Sequence, residues 1–305
     1  MMTDLDAQHL AFRQQLFDHK LLFDSGARGV VGRSPQITAL VQALHHKIDA
    51  ITAQDFAAKV SFPPVVPREL VRKVGYMDNF PHLCGSVHAF TGNEKAHLSL
   101  QKTVNNGEDW SSHLTQSEVT LTPAACYPLY PTLTGTCPEN GLLFDLACYC
   151  FRHEPANDPA RLISFEMREN VRVGSANDVQ VWRSNWIQRG EAFVAALGLA
   201  AKLDVASDPF FGRGGRMMEV NQKAQELKFE LLANIWGEEN PTAVLSFNYH
   251  QTHFGHLFGI QQANGEEAHT ACIAFGIDRL VIALLKTHGL DLNAWPASVR
   301  AALAL

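Results

Sequence analysis

The sequence predicts an α+β fold in which an antiparallel β-sheet is flanked by helices. Residues 119–174 contain several strand patterns, including the roughly alternating polar and apolar residues of 161–173, without regular crossover helices between them. Helical patterns follow at residues 183–203, 217–235 and 276–287. No linker sequence divides the chain, so we expect a single domain over residues 1–305.

Residues 1–45 are predicted to form a helical lead-in to this domain. The pattern of residues 10–51 suits helices, and Ser34 followed by Pro35 is a typical N-cap and first helical residue. Residues 59–67 then combine β-branched and aromatic residues with three prolines. Because proline cannot donate to a sheet ladder, this segment is predicted to be an edge strand.

Composition excludes several classes of protein. The longest apolar stretch, residues 193–201, is far shorter than the roughly 20 residues that span a bilayer, so no membrane segment is expected. The N-terminus carries Asp4 and Asp6 instead of a basic segment, which indicates a cytoplasmic location. The net charge of −6 and the lack of a Lys/Arg block argue against a nucleic acid partner. A modest basic bias is present at Lys202, Arg213, Arg216, Lys223 and Lys228.

A charged hairpin carries the most specific pattern in the chain. Phe151-Arg152-His153-Glu154 precedes a proline-bounded turn at residues 155–159, and Arg161, Phe165 and Glu169 follow at intervals of four. Because strand side chains alternate, Arg152 and Glu154 are expected on one face of the first strand, and the later three on one face of the second. Such a face suits a nucleotide, although a solvated sheet surface held by cross-strand pairs is the alternative.

The hairpin resembles motif 2 of class II aminoacyl-tRNA synthetases, Phe-Arg-x-Glu, a loop, then Arg-x-x-x-Phe-x-x-x-Glu. The resemblance implies that ATP binds here with magnesium. It places Arg152 on the α-phosphate, Glu154 near the adenine amino group, Arg161 toward the γ-phosphate and Phe165 against adenine. These roles are physically sensible, because a guanidinium donates in a fork to phosphate oxygens and stabilises charge that builds during displacement at phosphorus.

Two further segments resemble the other motifs of that family. Residues 274–285 are similar to motif 3, a strand, a glycine turn at Gly276 and a helix with Arg279 in its first turn, which implies that Arg279 meets the γ-phosphate. Residues 59–67 resemble motif 1, which forms the dimer interface in this family and so implies a homodimer. The fold class expected from these resemblances is the class II synthetase catalytic core, whereas Gly212-Arg-Gly-Gly215 lacks the context of a phosphate-binding loop.

Cys126, Glu169 and Cys272 form the predicted metal site. They lie before motif 2, at its end and just before motif 3, and we expect their three strands to be neighbours in the sheet. Two thiolates and a carboxylate suit zinc, one per chain, and leave a fourth position for substrate. Small buried cysteines are the ordinary alternative. The weaker candidate clusters are His250-x-x-His253-x-x-His256 and Cys137 with Cys148-Tyr-Cys150.

The Cys-Glu-Cys set resembles that of methanogen-type seryl-tRNA synthetases, in which zinc holds the substrate's amino group. Ala125-Cys-Tyr-Pro-Leu-Tyr-Pro131 and the short N-terminal segment are similar to the bacterial amino acid:carrier protein ligases. That resemblance implies activation of a small amino acid, glycine or alanine, as an adenylate, and transfer to the phosphopantetheine thiol of an acyl carrier protein. It implies that tRNA is not a partner.

Further residues have candidate roles with alternatives. Asp208 and Asn248 are candidates for positioning the substrate or magnesium, and residues 202–228 are the candidate docking surface for an acidic carrier, with a solvated helix face as the alternative. A compact aminoacyl-tRNA ligase and a non-catalytic paralogue that senses an amino acid are the competing functions. The retained Arg152, Arg161 and Arg279 argue against the sensor.

Overall fold

A computed structural model describes residues 3–305 of the protein, without the side chain of Arg213. The strands are β1 (Leu22–Asp24), β2 (Val31–Arg33), β3 (Ala58–Val60), β4 (Val65–Pro67), β5 (Ser86–Ala89), β6 (Thr115–Leu121), β7 (Gly135–Thr136), β8 (Leu142–Phe151), β9 (Ser164–Gly174), β10 (Ala201–Val205), β11 (Lys228–Ala233), β12 (Thr242–Gln251), β13 (Ile260–Gln261) and β14 (His269–Gly276). The helices are α1 (Asp4–Asp18), α2 (Pro35–Thr52), α3 (Arg68–Lys73), α4 (Tyr76–Asn79), α5 (Glu94–Asn105), α6 (Ala176–Ala196), α7 (Gly212–Ala224), α8 (His253–Phe258), α9 (Ile277–His288) and α10 (Ala297–Leu303).

The largest sheet in this part of the chain has seven strands in the order β10-β11-β12-β14-β9-β8-β3. Every neighbouring pair is antiparallel except β3 and β8, which are parallel. The hairpin partners β8 and β9 and the later strand β14 lie side by side, so the segments that resemble motifs 2 and 3 meet in the centre of the sheet. The α+β prediction is confirmed.

The N-terminal elements agree with the sequence pattern in outline. Ser34 caps α2, since its hydroxyl accepts a hydrogen bond from the Ile37 backbone N–H at 3.2 Å, and Pro35 is the first helical residue. Residues 59–67 do not form one strand. Pro63 and Pro64 separate β3, at an edge of the seven-stranded sheet, from β4, at an edge of a three-stranded sheet with β5 and β6. Both short strands occupy the edge positions that proline allows.

Two predicted helices extend too far toward the C-terminus. The helix predicted at 183–203 is α6, which ends at Ala196 before Gly198 adopts a left-handed φ of +66°, and the strand β10 follows. The helix predicted at 217–235 is wrong beyond Ala224. Residues 228–233 form β11, because hydrogen bonding to strands on both sides outweighs the helix propensity of Lys, Glu, Leu and Ala.

Apolar residues pack on both faces of the sheet. One face is covered by α2, α6, α9 and α10, with Trp186 and Phe275 fully buried between the helices and the strands. The other face holds a second cluster around Tyr130, α8 and the segment after β6, and part of this face is open. Among residues 3–305, no helix is both long and apolar enough to cross a membrane. The open part of the second face forms a cleft.

Candidate active site

A cleft with a volume of about 200 Å³ opens over the central strands. Its floor is made by alternate residues of β9, β12 and β14, such as Phe165, Asn248 and Cys272, because strand side chains point to opposite faces in turn. Arg152 and Arg279 line the cleft as well. Three of the five residues predicted to bind the nucleotide, Arg152, Phe165 and Arg279, therefore share one cleft with the predicted metal ligands.

The arginines lie near one another in the cleft. The guanidinium carbon of Arg152 lies 5.7 Å from the centre of the Phe165 ring, and its Nε donates to the Pro123 carbonyl at 3.0 Å. Arg279, in the first turn of α9, donates to the Ala243 carbonyl at 3.1 Å. Burial, followed by the nearby positive charges of Arg161 and Arg152, lowers the pKa of Arg279. A polyanion such as triphosphate suits a position where several guanidinium groups converge.

Three of the motif 2 residues lie outside the regular strands. β8 ends at Phe151, so Arg152 and Glu154 belong to the connection between β8 and β9, and the alternation argument does not apply to them. Glu154 lines a small pocket beside Phe165 and Arg279. Arg161 is exposed on the same connection, with its Nε 3.8 Å from Asp158, and does not line the cleft. The connection between β8 and β9, and not a strand, therefore positions these three side chains.

The predicted metal ligands do meet. One ligand atom from each of Cys126, Glu169 and Cys272 lies within 4.8 Å of the other two, and all three residues are buried. Glu169 and Cys272 stand diagonally on β9 and β14, where Glu169 pairs with Ala274. Cys126 is not on a sheet strand, contrary to the sequence-based expectation. It lies on a turn after β6 that packs onto the sheet and donates its backbone N–H to Glu169 Oε1 at 3.3 Å.

The chemistry of this group fits a divalent cation. Burial, with Cys272 as hydrogen-bonding neighbour, raises the pKa of the Cys126 thiol well above its usual range, and burial raises the pKa of the Glu169 carboxyl. The second carboxylate oxygen of Glu169 is buried without a hydrogen-bond partner. A bound cation would satisfy that oxygen and favour the deprotonated thiols, and sulfur with one carboxylate is a ligand set that suits zinc.

The rival metal clusters do not form. Within residues 3–305, Cys126, Glu169 and Cys272 are the one group of three or more such ligands that converges. His256 instead places Nδ1 2.7 Å from Glu267 at an exposed site. His250 is a neighbour of the Cys-Glu-Cys group that the sequence did not identify, because its Nε2 lies 3.6 Å from Cys272 Sγ. Burial, and then the charge of His253, lowers the pKa of His250 to about 3, so its imidazole is neutral.

Asp208 and Asn248 both line the cleft, with different partners. Asn248 stands opposite Cys272 in the ladder and donates to its sulfur at 3.3 Å, which places it beside the Cys-Glu-Cys group. Asp208 accepts from Lys228 Nζ at 2.7 Å and from Gln222 Nε2 at 2.8 Å. Burial raises the pKa of Asp208, but Lys228 and Gln222 outweigh it and lower the value to about 2. Asp208 is therefore ionised and fixed in place.

Lys228 does not belong to a basic surface, contrary to the expectation for residues 202–228. It is buried at the cleft between Asp208 and Glu230. The alternation of side chains along β11 places Lys228 on this face, but the segment was predicted to be a helix. Arg216 and Lys223 are exposed on α7, and Lys202 is exposed on β10 with Asp204 at 3.3 Å. The side chain of Arg213 lies outside the described residues.

Known proteins resemble the chain in both sequence and fold, although no family model matches it. A type-2 serine–tRNA ligase of Methanocaldococcus jannaschii is 27% identical over 88% of this chain and 54% of its own length. A solved seryl-tRNA synthetase of M. kandleri, bound to A. aeolicus tRNASec, superposes with a TM-score of 0.81 at 20% identity, covering 99% of this chain and 60% of that one. A Naegleria fowleri serine–tRNA ligase with AMP gives a TM-score of 0.70 at 16% identity, covering 97% of this chain and 59% of that one. These structures show the class II synthetase fold.

Two enzymes of Bradyrhizobium diazoefficiens are more similar in sequence. Amino acid–acyl-carrier-protein ligase 1 is 46% identical over 94% of this chain and 88% of its own length. Ligase 2 of the same organism is 44% identical over 93% of this chain and 86% of its own length. With the arginine cluster and the Cys-Glu-Cys group in one cleft, this similarity shows that the chain is a ligase of the amino acid–acyl-carrier-protein ligase family.

Proposed function

We propose that the protein activates a small amino acid, glycine or alanine, with ATP and transfers it to the phosphopantetheine thiol of an acyl carrier protein. The observation that carries this proposal is the shared cleft, in which Arg152 lies beside Phe165, Arg279 lies beside Gly276, and the group of Cys126, Glu169 and Cys272 lies further along β9 and β14. The arginines suit a triphosphate and the Cys-Glu-Cys group suits an amine bound to a metal. The two Bradyrhizobium relatives are named as acyl-carrier-protein ligases, which supports a carrier protein as the acceptor.

The first step joins the amino acid to AMP. A carboxylate oxygen of the amino acid attacks the α-phosphorus of ATP, the bond to the bridging oxygen breaks, and pyrophosphate leaves. Arg152 neutralises charge on the α-phosphate, Arg279 and Arg161 hold the γ-phosphate, and magnesium accompanies ATP. Phe165 stacks on adenine and Glu154 accepts from its amino group. Arg161 reaches its position from the exposed connection, so its contact forms when the nucleotide binds.

Cys126, Glu169 and Cys272 would hold one zinc ion per chain. When bound there, zinc would supply an electrophilic position for the neutral amino group of the substrate. Asn248 steadies Cys272 through its 3.3 Å hydrogen bond. Tyr130 and Phe254 stack at 3.8 Å beside this group, and Tyr127 and Phe254 line the cleft. An aromatic wall of this kind favours a small side chain, although one methyl group changes selectivity by only about 1–3 kcal/mol.

The second step moves the aminoacyl group to sulfur. The phosphopantetheine thiol gives its proton to solvent, its sulfur attacks the carbonyl carbon of the adenylate, and AMP leaves with the electrons of the broken C–O bond. We propose α7 as part of the carrier-docking surface. It presents Arg216 and Lys223 to solvent together with Met217, Met218 and Val220, whose exposed fractions are 78%, 42% and 68%. Exposed apolar residues beside basic ones suit an acidic partner.

The assembly proposed is a homodimer through the region of residues 59–67, as the motif 1 resemblance implies. We also propose that residues 1–305 act as one catalytic domain in the cytoplasm. The packing supports a single unit, because one buried cluster joins Phe12 in α1 to Leu303 in α10.

ATP–pyrophosphate exchange, measured across the amino acids with purified protein, tests the proposal. We expect exchange with glycine or alanine, and little with amino acids that have large side chains. Exchange with serine alone, followed by charging of tRNA, would favour the tRNA ligase that the Methanocaldococcus relative represents. If no amino acid supports exchange while one still binds, the protein is a sensor and the proposed function is wrong.

A further inference from the structure

The junction between β14 and α9 is completed by a side chain. The ladder between β14 and β9 ends at the pair Gly276 and Met167, because the chain turns into α9 at Ile277. The next N–H of β9, that of Glu166, donates instead to Asp278 Oδ2 at 2.7 Å. The Asp278 carboxylate therefore extends the ladder by one hydrogen bond and ties the start of β9 to the first turn of α9.

Arg33 holds both sides of this junction. Its Nη1 donates to Glu166 Oε2 at 2.7 Å, and its Nη2 and Nε donate to Asp278 Oδ1 at 2.8 and 3.2 Å. His45 Nε2 lies 2.7 Å from the other Glu166 oxygen, Oε1. Only 13% of the Arg33 side chain is exposed. Two carboxylates so close together repel each other, and the planar guanidinium between them offsets that repulsion with a fixed geometry.

The chain just before Arg33 makes a second contact with the motif 2 segment. The Gly29 carbonyl accepts from the Ile163 N–H at 2.9 Å, and the Ile163 carbonyl accepts from the Arg152 N–H at 2.9 Å. Gly29 has a φ of +78°, and a Cβ there would lie 3.1 Å from the Ile163 nitrogen. Residues 29–33 therefore contact the β8–β9 connection at one end and the β14–α9 junction at the other.

We propose that Arg33 is a positioning residue for ATP. Its partners each stand next to a residue assigned to the nucleotide: Glu166 follows Phe165 in β9, and Asp278 precedes Arg279 in α9. Because strand side chains alternate, Glu166 and Arg33 lie on the face of β9 opposite Phe165, so Arg33 acts through the backbone and not by touching the nucleotide. This inference rests on the proposed function, in which Phe165 and Arg279 hold ATP.

The competing explanation is an ion pair that only supports the fold. Breaking a buried pair destabilises a protein whatever the pair positions. Loss of stability lowers the active fraction, and with it the apparent kcat, but leaves the KM for ATP unchanged. Loss of positioning raises the KM and Kd for ATP while the KM for the amino acid, set by the Cys-Glu-Cys group, stays the same. The two explanations therefore predict different ratios of the KM for ATP to the KM for the amino acid.

The test compares Arg33→Ala and Arg33→Lys with Arg28→Ala, the matched control, because Arg28 is exposed on the loop before β2. ATP binding is titrated directly, and both KM values are taken from pyrophosphate exchange with the amino acid that the wild-type protein activates. For Arg33→Ala we expect the Kd and KM for ATP to rise about tenfold, with the amino acid KM within about twofold. Lysine keeps the charge without the fork, so Arg33→Lys should lie between wild type and Arg33→Ala, and Arg28→Ala should match wild type.

Arg33→Lys decides the matter if Arg33→Ala does not fold, as monitored by thermal unfolding. Wild-type ATP affinity in the folded Arg33 variants would overturn the inference and leave the proposed function intact. If the wild-type protein itself neither binds ATP nor supports exchange, the proposed function fails, and the role of Arg33 fails with it.

Discussion

Lys228 is the buried cation on which two carboxylates at the cleft depend. Its Nζ lies 2.7 Å from Asp208 Oδ1 and 3.0 Å from Glu230 Oε1, and only 10% of its side chain is exposed. Replacing it by methionine keeps the volume and removes the charge. Asp208 and Glu230 then remain partly buried with no cation between them, which is the costly way to disrupt an ion pair.

The pKa of Asp208 gives the size of the effect. Burial raises this pKa, but Lys228 and Gln222 lower it from 3.8 to about 2. A shift of that size corresponds to about 2.4 kcal/mol, which we reduce to about 1–2 kcal/mol because 34% of the side chain is exposed. The bridge to Glu230 adds about 1 kcal/mol, since charge-assisted hydrogen bonds are stronger than neutral ones. We expect Lys228→Met to lower the free energy of unfolding by about 2–3 kcal/mol near neutral pH.

Urea denaturation at several pH values measures this difference. The folded-state pKa of Asp208 is depressed, so its contribution is fully present above the unfolded value of 3.8 and is lost as the pH falls toward about 2. The gap between wild type and Lys228→Met should be constant down to about pH 5 and narrow below about pH 4. Lys202→Met, which removes an exposed lysine, should change stability by at most about 0.5 kcal/mol. Equal denaturation midpoints for wild type and Lys228→Met would show that the ion pairs of Lys228 do not stabilise the fold.

Three further predictions concern the cleft and its surroundings. The purified protein should contain about one zinc per chain by elemental analysis, and Cys126→Ser should lose both the zinc and exchange activity; full activity in metal-free protein would contradict the assignment. Phe165→Leu should raise the KM for ATP about tenfold with little change in the KM for the amino acid, because it removes aromatic stacking on adenine; an unchanged KM for ATP would exclude that stacking. Arg216→Glu with Lys223→Glu should slow transfer to the carrier several-fold in steady-state assays and leave exchange intact, whereas equal loss of both steps would argue against docking on α7.

The hairpin and the convergence of Cys126, Glu169 and Cys272 could be predicted because the residue types that indicate them are chemically specific. The sequence from Phe151 to Glu169 carries charged and aromatic residues at fixed intervals, and β8 and β9 do form a hairpin. Cys126 converges with Glu169 and Cys272 as the sequence predicts, but it lies on a turn and not on a strand. The types of side chain therefore predicted which residues converge, whereas strand periodicity did not predict the turn that carries Cys126.

The remaining features depend on contacts between distant segments. Lys228 lies in a stretch of good helix formers, and only pairing with β10 and β12 makes it a strand residue that faces the cleft. Arg33 has no local motif, since its partners Glu166 and Asp278 lie 133 and 245 residues away in sequence. The local sequence around Lys228 or Arg33 does not predict these contacts. They form only when distant segments come together in the folded sheet.

The proposed function depends on which molecule accepts the activated amino acid. Labelled glycine or alanine is incubated with ATP, the enzyme and equal amounts of a phosphopantetheinylated carrier protein and bulk tRNA, with carrier that lacks the pantetheine arm as control. We expect ATP-dependent label on the modified carrier alone, released by neutral hydroxylamine as a thioester would be. Label on tRNA, or on carrier without the pantetheine arm, would contradict transfer to the phosphopantetheine thiol.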